Sequence, residues 1–520
     1  MSSAISYGAR CSELAEQMPA RAALIFVPNE GQPITVSRSL LDQRSNQMAR
    51  LLLEHGVGEK SLVVPALPTC VEHYYASLGA WKVGACVLPL NDRLPAQERN
   101  GLLELASKWR PVWVLGEWDV GDINHIGRDV LKNLDGYDDS PLDDVVPCPG
   151  RAIGSGGSTG KPKIIVDPKP FSHIPGCWGP LNHIGMTPEQ TLLLTGRLYH
   201  SMGFELSHLG LFEGHTVVVP EQFEAARAVE LIEHYQVNFM ALIPIMMQRI
   251  AKLDGIENRD FSSIESFYHA GGACAGWLKR RWLKLVDPTK QWELYGSTEA
   301  KGQTLIRGDE WLARPGSVGR PFASEMKIVD EQGKEVAKGE IGEIHMRNMP
   351  PPNTAPGGIW PQEPTCEYIG APQAKTTEDG FTSVGDMGYI DEDGFVYLAD
   401  RRVDMIKSGG SNIFPAEIEA VLSEHEQVSD VVVIGVPDDE WGLRVHALIE
   451  PVAGTVELGV EVLNQFCRDR LVYYKAPKSY EFVSEMPRDA TGKIRRIALR
   501  EARKSGWIEG MVAVPSGKNK

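Results

Sequence analysis

The stretch Ile153–Asp167 reads IGSGGSTGKPKIIVD. Gly154, Gly156, Gly157 and Gly160 let the backbone approach a ligand closely and adopt positive φ, so that successive N–H groups can converge on an anion. Ser155, Ser158 and Thr159 add hydroxyl donors, and Lys161 and Lys163 add charge. Together these groups suit a polyphosphate. A flexible linker has a similar Gly/Ser composition, but linkers do not usually run straight into a buried strand such as the β-branched run Ile164–Val166. A Walker A loop needs G-x-x-x-x-G-K-[ST]. Here Ser155 replaces its first glycine and Pro162 follows Lys161, so that reading fails twice. The dinucleotide fingerprint fails as well, because Thr159 stands where its third glycine belongs.

The chain has 520 residues, which is too long for one core and predicts two or more domains. A net charge of −16 argues against nucleic acid or an anionic membrane as the main partner, so phosphate-binding charge must be local. The eight cysteines are scattered singly, without zinc spacing, and read as buried small residues in a reducing compartment. The N-terminus MSSAISYGAR lacks a signal-peptide core, and no run reaches the length of a membrane span; a cytoplasmic protein is expected.

Apolar periodicity predicts a helix over 38–56, strands at Ser61–Leu67 and Ala85–Leu90, and a helix over Val71–Lys82 between them. This is a βαβ unit and implies a parallel sheet. Residues 135–150 read as an acidic exposed loop. Strands at Thr216–Val219 and Phe239–Ile243 flank a helix over Ala225–Tyr235, whereas the Pro/Gly-rich residues 349–375 read as a long loop. From about 403 a compact α+β unit follows, with helices at Ala416–Glu424 and Val460–Leu471 and strands at Val428–Ile434 and Val445–Glu450.

A second chemical stretch, Gln291–Ala300, reads QWELYGSTEA. It combines an aromatic face for a purine, hydroxyls for a phosphate and a carboxylate for Mg²⁺; alone, it is equally an ordinary surface turn. Around it lie Ala270–Ala273 (AGGA), Ser383–Asp386 (SVGD), Tyr397–Arg401 (YLADR), Asp404–Glu419 (DMIKSGGSNIFPAEIE) and Pro487–Ile494 (PRDATGKI).

In this order, these motifs resemble the adenylate-forming superfamily of acyl-CoA synthetases, peptide-synthetase adenylation domains and luciferases. The phosphate loop follows that family's [ST]-S-G-[ST]-T-G-x-P-K pattern except at Gly156, and Tyr295–Glu299 follows Y-G-x-T-E throughout. The resemblance spans residues from about 20 to 500. It implies an α/β fold with a large N-terminal domain of layered sheets and helices (1–400) and a small mobile α+β C-terminal domain (401–520).

The implied co-substrates are ATP with Mg²⁺, CoA and a small carboxylic acid. The implied reaction makes an acyl-adenylate and then a thioester; the resemblance also allows a homodimer. Catalysis falls to Lys493, Thr298, Glu299 and His200, with Glu299 as the metal ligand. The nucleotide set is Ser155, Gly156, Gly157, Ser158, Thr159, Gly160, Lys161, Lys163, Gly271, Gly272, Ala273, Glu293, Leu294, Tyr295, Gly296, Ser297, Asp386 and Arg401. CoA falls to Lys407, Ser408, Gly409 and Gly410, and the acyl pocket to Tyr199, Met202, Gly203, Met246 and Ala270.

Asp400 replaces the family's glycine before Arg401, and Val403 replaces the Asp or Lys of the family's swivel. His200 stands where peptide-activating members carry Asp, which disfavours an amino-acid substrate. A luciferase-like oxygenase shares the fold, and a non-catalytic AMP-binding protein would lack Glu299 or Lys493. The S-G-G-S-T-G loop and YIGAPQAKTTEDGF resemble bacterial ligases of bile acids and steroid side chains, so a bulky alicyclic acid is expected, with a medium- or long-chain fatty acid as the runner-up.

Overall fold

A computed structural model describes residues 3–155, 162–177, 179–349, 366–374, 376–408, 411–455, 458–488, 492–504, 506, 508 and 510–514, with backbone alone at 155, 400 and 401. Its largest sheet has thirteen strands among the described residues. The centre of this sheet is parallel: Ala22–Val27, Thr216–Pro220, Thr191–Leu193, Phe239–Leu242, Ser266–His269 and Gln291–Gly296 are successive neighbours. Strands covered on both faces need near-continuous apolar sequence, and Leu192, Val218, Met240 and Phe267 are fully buried. Beyond Gln291–Gly296 the sheet turns antiparallel, through Gln303–Arg307, Ser317–Pro321, Val396–Arg401, Thr382–Ile390, Gly342–Asn348 and Ser324–Val329.

The predicted βαβ unit lies in a second, four-stranded parallel sheet, with Leu62–Ala66 between Cys86–Val87 and Val112–Gly116. The helix Val71–Lys82 is buried on nearly every side because the helix Arg38–Glu54 crosses it closely. Gly79 permits that approach: a Cβ there would sit 2.7 Å from Met48 Cγ.

Ala152–Ser155 and Lys163–Val166 form an antiparallel hairpin in a separate three-stranded sheet. The third strand is Glu367–Ile369, so the end of the segment read as a loop over 349–375 is β-structure. Most of that segment lies outside the described residues. The loop 135–150 is tied to the helix Arg38–Glu54: Gln47 donates to the Tyr137 carbonyl at 3.1 Å and Asn46 to the Asp139 carbonyl at 2.9 Å.

The small C-terminal domain pairs Val428–Asp438 with Gly442–Pro451 antiparallel, then Ser479–Phe482 parallel and Met511–Ala513 antiparallel. Helices Pro415–Ser423 and Val460–Arg468 supply Ile418, Leu422, Leu463 and Cys467 to its own core. It touches the large domain through Gln248, which donates to the Ser429 carbonyl at 2.6 Å, and Trp277, whose indole donates to Ser423 Oγ at 3.1 Å.

Candidate active site

In an open parallel sheet, ligands collect beyond the carboxyl ends of the strands, where the departing loops expose backbone and side chains. Three neighbouring parallel strands here point their carboxyl ends the same way: Leu242 and His269 pair at the ends of the first two, and the third pairs Glu293 with His269 and runs on to Gly296. The loops that leave them are Ile243–Pro244, Ala270–Ala273 and Ser297–Ala300. Two of the expected nucleotide segments are therefore side by side. Gly271 adopts φ +83°, a left-handed conformation that favours glycine, and Gly272 is exposed beside it.

The hairpin strand Lys163–Val166 brings the phosphate stretch to the same edge. Lys163 Nζ lies 3.1 Å from Glu299 Oε1. Tyr368, the first residue of the YIGAPQAKTTEDGF stretch but given no site role by it, donates its phenol to the same oxygen at 2.9 Å. Burial alone would raise the Glu299 carboxyl, but the Lys163 charge and the hydrogen bonds from Lys163 and Tyr368 outweigh it and hold it below its ordinary range. Thr298 reaches Ser201 across the cleft, with 3.4 Å between hydroxyl oxygens. The Ser297 hydroxyl is buried and has no hydrogen-bond partner among the described residues, so it can serve a ligand. Ser155 ends the strand Ala152–Ser155; Gly156, Gly157, Ser158, Thr159, Gly160 and Lys161 lie outside the described residues.

Tyr295 donates to Asp386 Oδ2 at 2.8 Å, and Asp386 pairs in register with Arg401 across Thr382–Ile390 and Val396–Arg401. The proposed purine and ribose residues thus meet although they are distant in sequence. Glu293 and Leu294 differ from expectation. The Glu293 carboxylate is buried against Lys279 Nζ at 2.6 Å, and Leu294 packs on the main apolar core. As consecutive strand residues they pack on opposite faces of the sheet; Gly296, at the strand's end, is exposed.

On the acyl side, the rings of Tyr199 and His200 stand 4.6 Å apart just before the helix Ser201–Phe212. Met202 and Ala270 are partly buried against the core. Two of the expected pocket residues are packing positions instead. A Cβ on Gly203 would fall 2.4 Å from the Arg197 carbonyl oxygen, so this glycine allows a helix to pass a backbone turn. Met246 is buried in the apolar cluster with Val229, Ile250 and Trp282.

The C-terminal domain closes the arrangement. Gly492, at φ +76°, is pressed onto the large domain: a Cβ there would lie 2.7 Å from Ile245 Cγ2 and 2.9 Å from Ile243 Cδ1. Lys493 is its chain neighbour. Arg488 anchors this loop, donating to the Gly492 carbonyl at 2.7 Å and to Asp430 Oδ1 at 2.7 Å. In the sequence Arg488 stands only as part of the PRDATGKI motif. At the swivel position, the Val403 carbonyl accepts from Arg500 at 2.8 Å, and Asp404 is paired with Arg496 and Arg500. Lys407 and Ser408 lie on a short hairpin, Lys407 exposed and Ser408 buried; Gly409 and Gly410 lie outside the described residues.

Among the described residues no group of three or more His, Cys, Asp or Glu side chains gathers to cage a metal. A lone ionised carboxylate at Glu299 fits Mg²⁺ nonetheless, because that ion is commonly held by one or two carboxylates together with the substrate's phosphates. No described helix is long and apolar enough to cross a membrane.

Residues 11–108 and 153–357 match the model of the AMP-binding enzyme family, and residues 417–493 match that of the AMP-binding enzyme C-terminal domain. A 2-succinylbenzoate–CoA ligase of a Geobacillus species is 30% identical over 465 residues, covering 87% of this chain and 90% of the relative. A fatty acid–[acyl-carrier-protein] ligase of Streptomyces coeruleorubidus is 29% identical over 497 residues, covering 91% and 92%. The o-succinylbenzoate CoA synthetase of Bacillus subtilis, solved with its acyl-adenylate intermediate, superposes with a TM-score of 0.78 at 26% identity, covering 95% of this chain and 98% of that one. These relatives carry no bile-acid or steroid names, so the expected likeness to those ligases is set aside.

Proposed function

This chain belongs to the AMP-binding enzyme family, and we propose that it is an AMP-forming acid–CoA ligase acting on a bulky, ring-bearing carboxylic acid. The observation that carries the reading is the docking of Gly492, the chain neighbour of Lys493, against Ile243 and Ile245 at the carboxyl end of the strand Phe239–Leu242. In the reaction, the carboxylate of the acid attacks the α-phosphate of ATP and pyrophosphate leaves. The CoA thiol then attacks the acyl carbon and AMP leaves.

Negative charge grows on the α-phosphate in the first step, and preorganised donors stabilise it best where water is excluded. Thr298, Ser297, Lys163 and Lys493 are the donors proposed for this task. Mg²⁺ would be held by Glu299 and would supply charge neutralisation on the phosphates. Tyr295 would carry the purine, and Asp386 with Arg401 the ribose. In the second step the C-terminal domain would turn about the Val403 region, replacing Lys493 by the hairpin at Lys407–Ser408.

The aromatic and apolar character of the proposed acyl-side residues Tyr199, Met202 and Ala270 favours an acid with a rigid apolar body. The likeness to a succinylbenzoate ligase points the same way. A fatty acid is the second reading, favoured by the likeness to a fatty-acid ligase, and that relative also makes a carrier-protein pantetheine an alternative thiol. AMP release and thioester formation over a panel of aromatic, alicyclic and straight-chain acids, each with CoA and with pantetheinylated carrier protein, test all of these. Turnover restricted to straight-chain acids would overturn the ring-bearing assignment.

A further inference from the structure

We infer that Tyr368 is a positioning residue that orients the Glu299 carboxylate for its metal, a role that rests on the adenylation reading above. The placement follows from strand register. Tyr368 pairs with Ile165, Glu367 with Val166 and Ile369 with Ile164. Side chains alternate along a strand, so Tyr368, Ile165 and Lys163 share one face, with Lys163 diagonal to Tyr368. On the other face Ile164, Val166 and Ile369 pack into the core of the four-stranded sheet, with the exposed Glu367 at the strand's start. A slip of one residue would bury the phenol there and expose Ile369, so the apolar face locks the tyrosine onto the nucleotide side.

One ring then serves both members of an ion pair. Its hydroxyl donates to Glu299 Oε1 at 2.9 Å, while Lys163 Nζ sits 3.8 Å from its centroid and 3.1 Å from the same oxygen. A cation over an aromatic face is attracted by the ring quadrupole. A tyrosine phenol is protonated at neutral pH and so acts as a donor here. When Mg-ATP enters, Lys163 has a phosphate to turn to. Glu299 keeps the Tyr368 bond and with it its orientation. Partners that orient a ligating carboxylate typically matter 10- to 100-fold in metal affinity.

The test is the Kd of ATP, measured by titration calorimetry without any acid, at limiting and at saturating free Mg²⁺. In the wild type, Mg²⁺ tightens ATP binding. Tyr368→Phe removes one oxygen from a half-buried strand residue and should shrink that tightening roughly tenfold. Tyr368→Leu should shrink it no less, with thermal melts recording the fold of both. Wild-type tightening in Tyr368→Phe overturns the proposal, even if Tyr368→Leu has lost it. Wild-type protein that binds no ATP at either Mg²⁺ level overturns the adenylation reading and this proposal together, and the two failures are told apart by the wild-type titration alone.

Discussion

Tyr295 donates its phenol to Asp386 Oδ2 at 2.8 Å, which joins the proposed purine shelf to the proposed ribose carboxylate although the residues lie 91 positions apart. The bond holds the carboxylate in one orientation before any nucleotide arrives. Tyr295→Phe keeps the aromatic face and deletes only the donor. A hydrogen bond to a charged group contributes about 1.5–3 kcal/mol, so the KM for ATP should rise about tenfold with a smaller change in kcat. Steady-state kinetics with varied ATP check this; an unchanged KM would remove Asp386 from the ribose site.

Gly492 offers a way to separate the two half-reactions. Any side chain there meets Ile245 and Ile243 and must adopt a left-handed backbone. Gly492→Val should push the C-terminal domain off the large domain, while Lys493→Ala should leave it seated without its charge. Both should lose acyl-AMP formation from acid and ATP by at least about a hundredfold, the scale of one lost transition-state donor. Both should still convert synthetic acyl-AMP and CoA to thioester. Equal loss in both halves would contradict an alternating C-terminal domain.

Gly203 should behave as a packing residue rather than a selectivity filter. Its missing Cβ is what lets the helix Ser201–Phe212 pass the Arg197 carbonyl. Gly203→Ala should therefore destabilise the large domain by about 1–3 kcal/mol, the usual scale of overpacking, and depress activity on every acid alike. Thermal denaturation and a two-acid comparison decide; a loss confined to large acids would return Gly203 to the pocket.

Lys252 gives the domain contact a pH dependence. Its ammonium donates to the Val428 carbonyl of the C-terminal domain, and burial, against the opposing pull of Asp430, pushes its pKa down to about 8 from an ordinary 10.5. A lowered lysine pKa means that the docked state disfavours the charged form. Below about pH 8 the full penalty applies, and docking should strengthen as pH rises from about 8 towards 10.5. The fraction of docked domain, read by energy transfer between dyes on the two domains, should climb over that window. Lys252→Met should flatten the climb, and a wild-type profile without it would contradict the linkage.

Short-range patterns were legible in the chain itself. The helices Val71–Lys82 and Ala225–Tyr235 have the bounds that apolar periodicity predicts. The turn Ser297–Glu299 follows the strand Gln291–Gly296 directly, and the C-terminal α+β unit follows from its own alternation of strands and helices. These features depend on neighbours a few residues away, and local spacing records them. The hairpin sheet that holds Lys163 could not be read so, because its third strand arrives from Glu367–Ile369 and its ion-pair partner lies 136 residues off. Tyr368 opens the YIGAPQAKTTEDGF stretch, but nothing local gives it a role; only strand register turns its ring towards Glu299. Gly203 and Met246 look like pocket residues in sequence, and packing alone sends one against a backbone carbonyl and the other into a core. Arg488 likewise acquires a role only when Asp430, 58 residues away, comes within reach of its guanidinium. Local sequence sets which chemical groups are present and on which kind of element, while contacts between distant segments, driven by burial of their apolar faces, decide which of those groups meet.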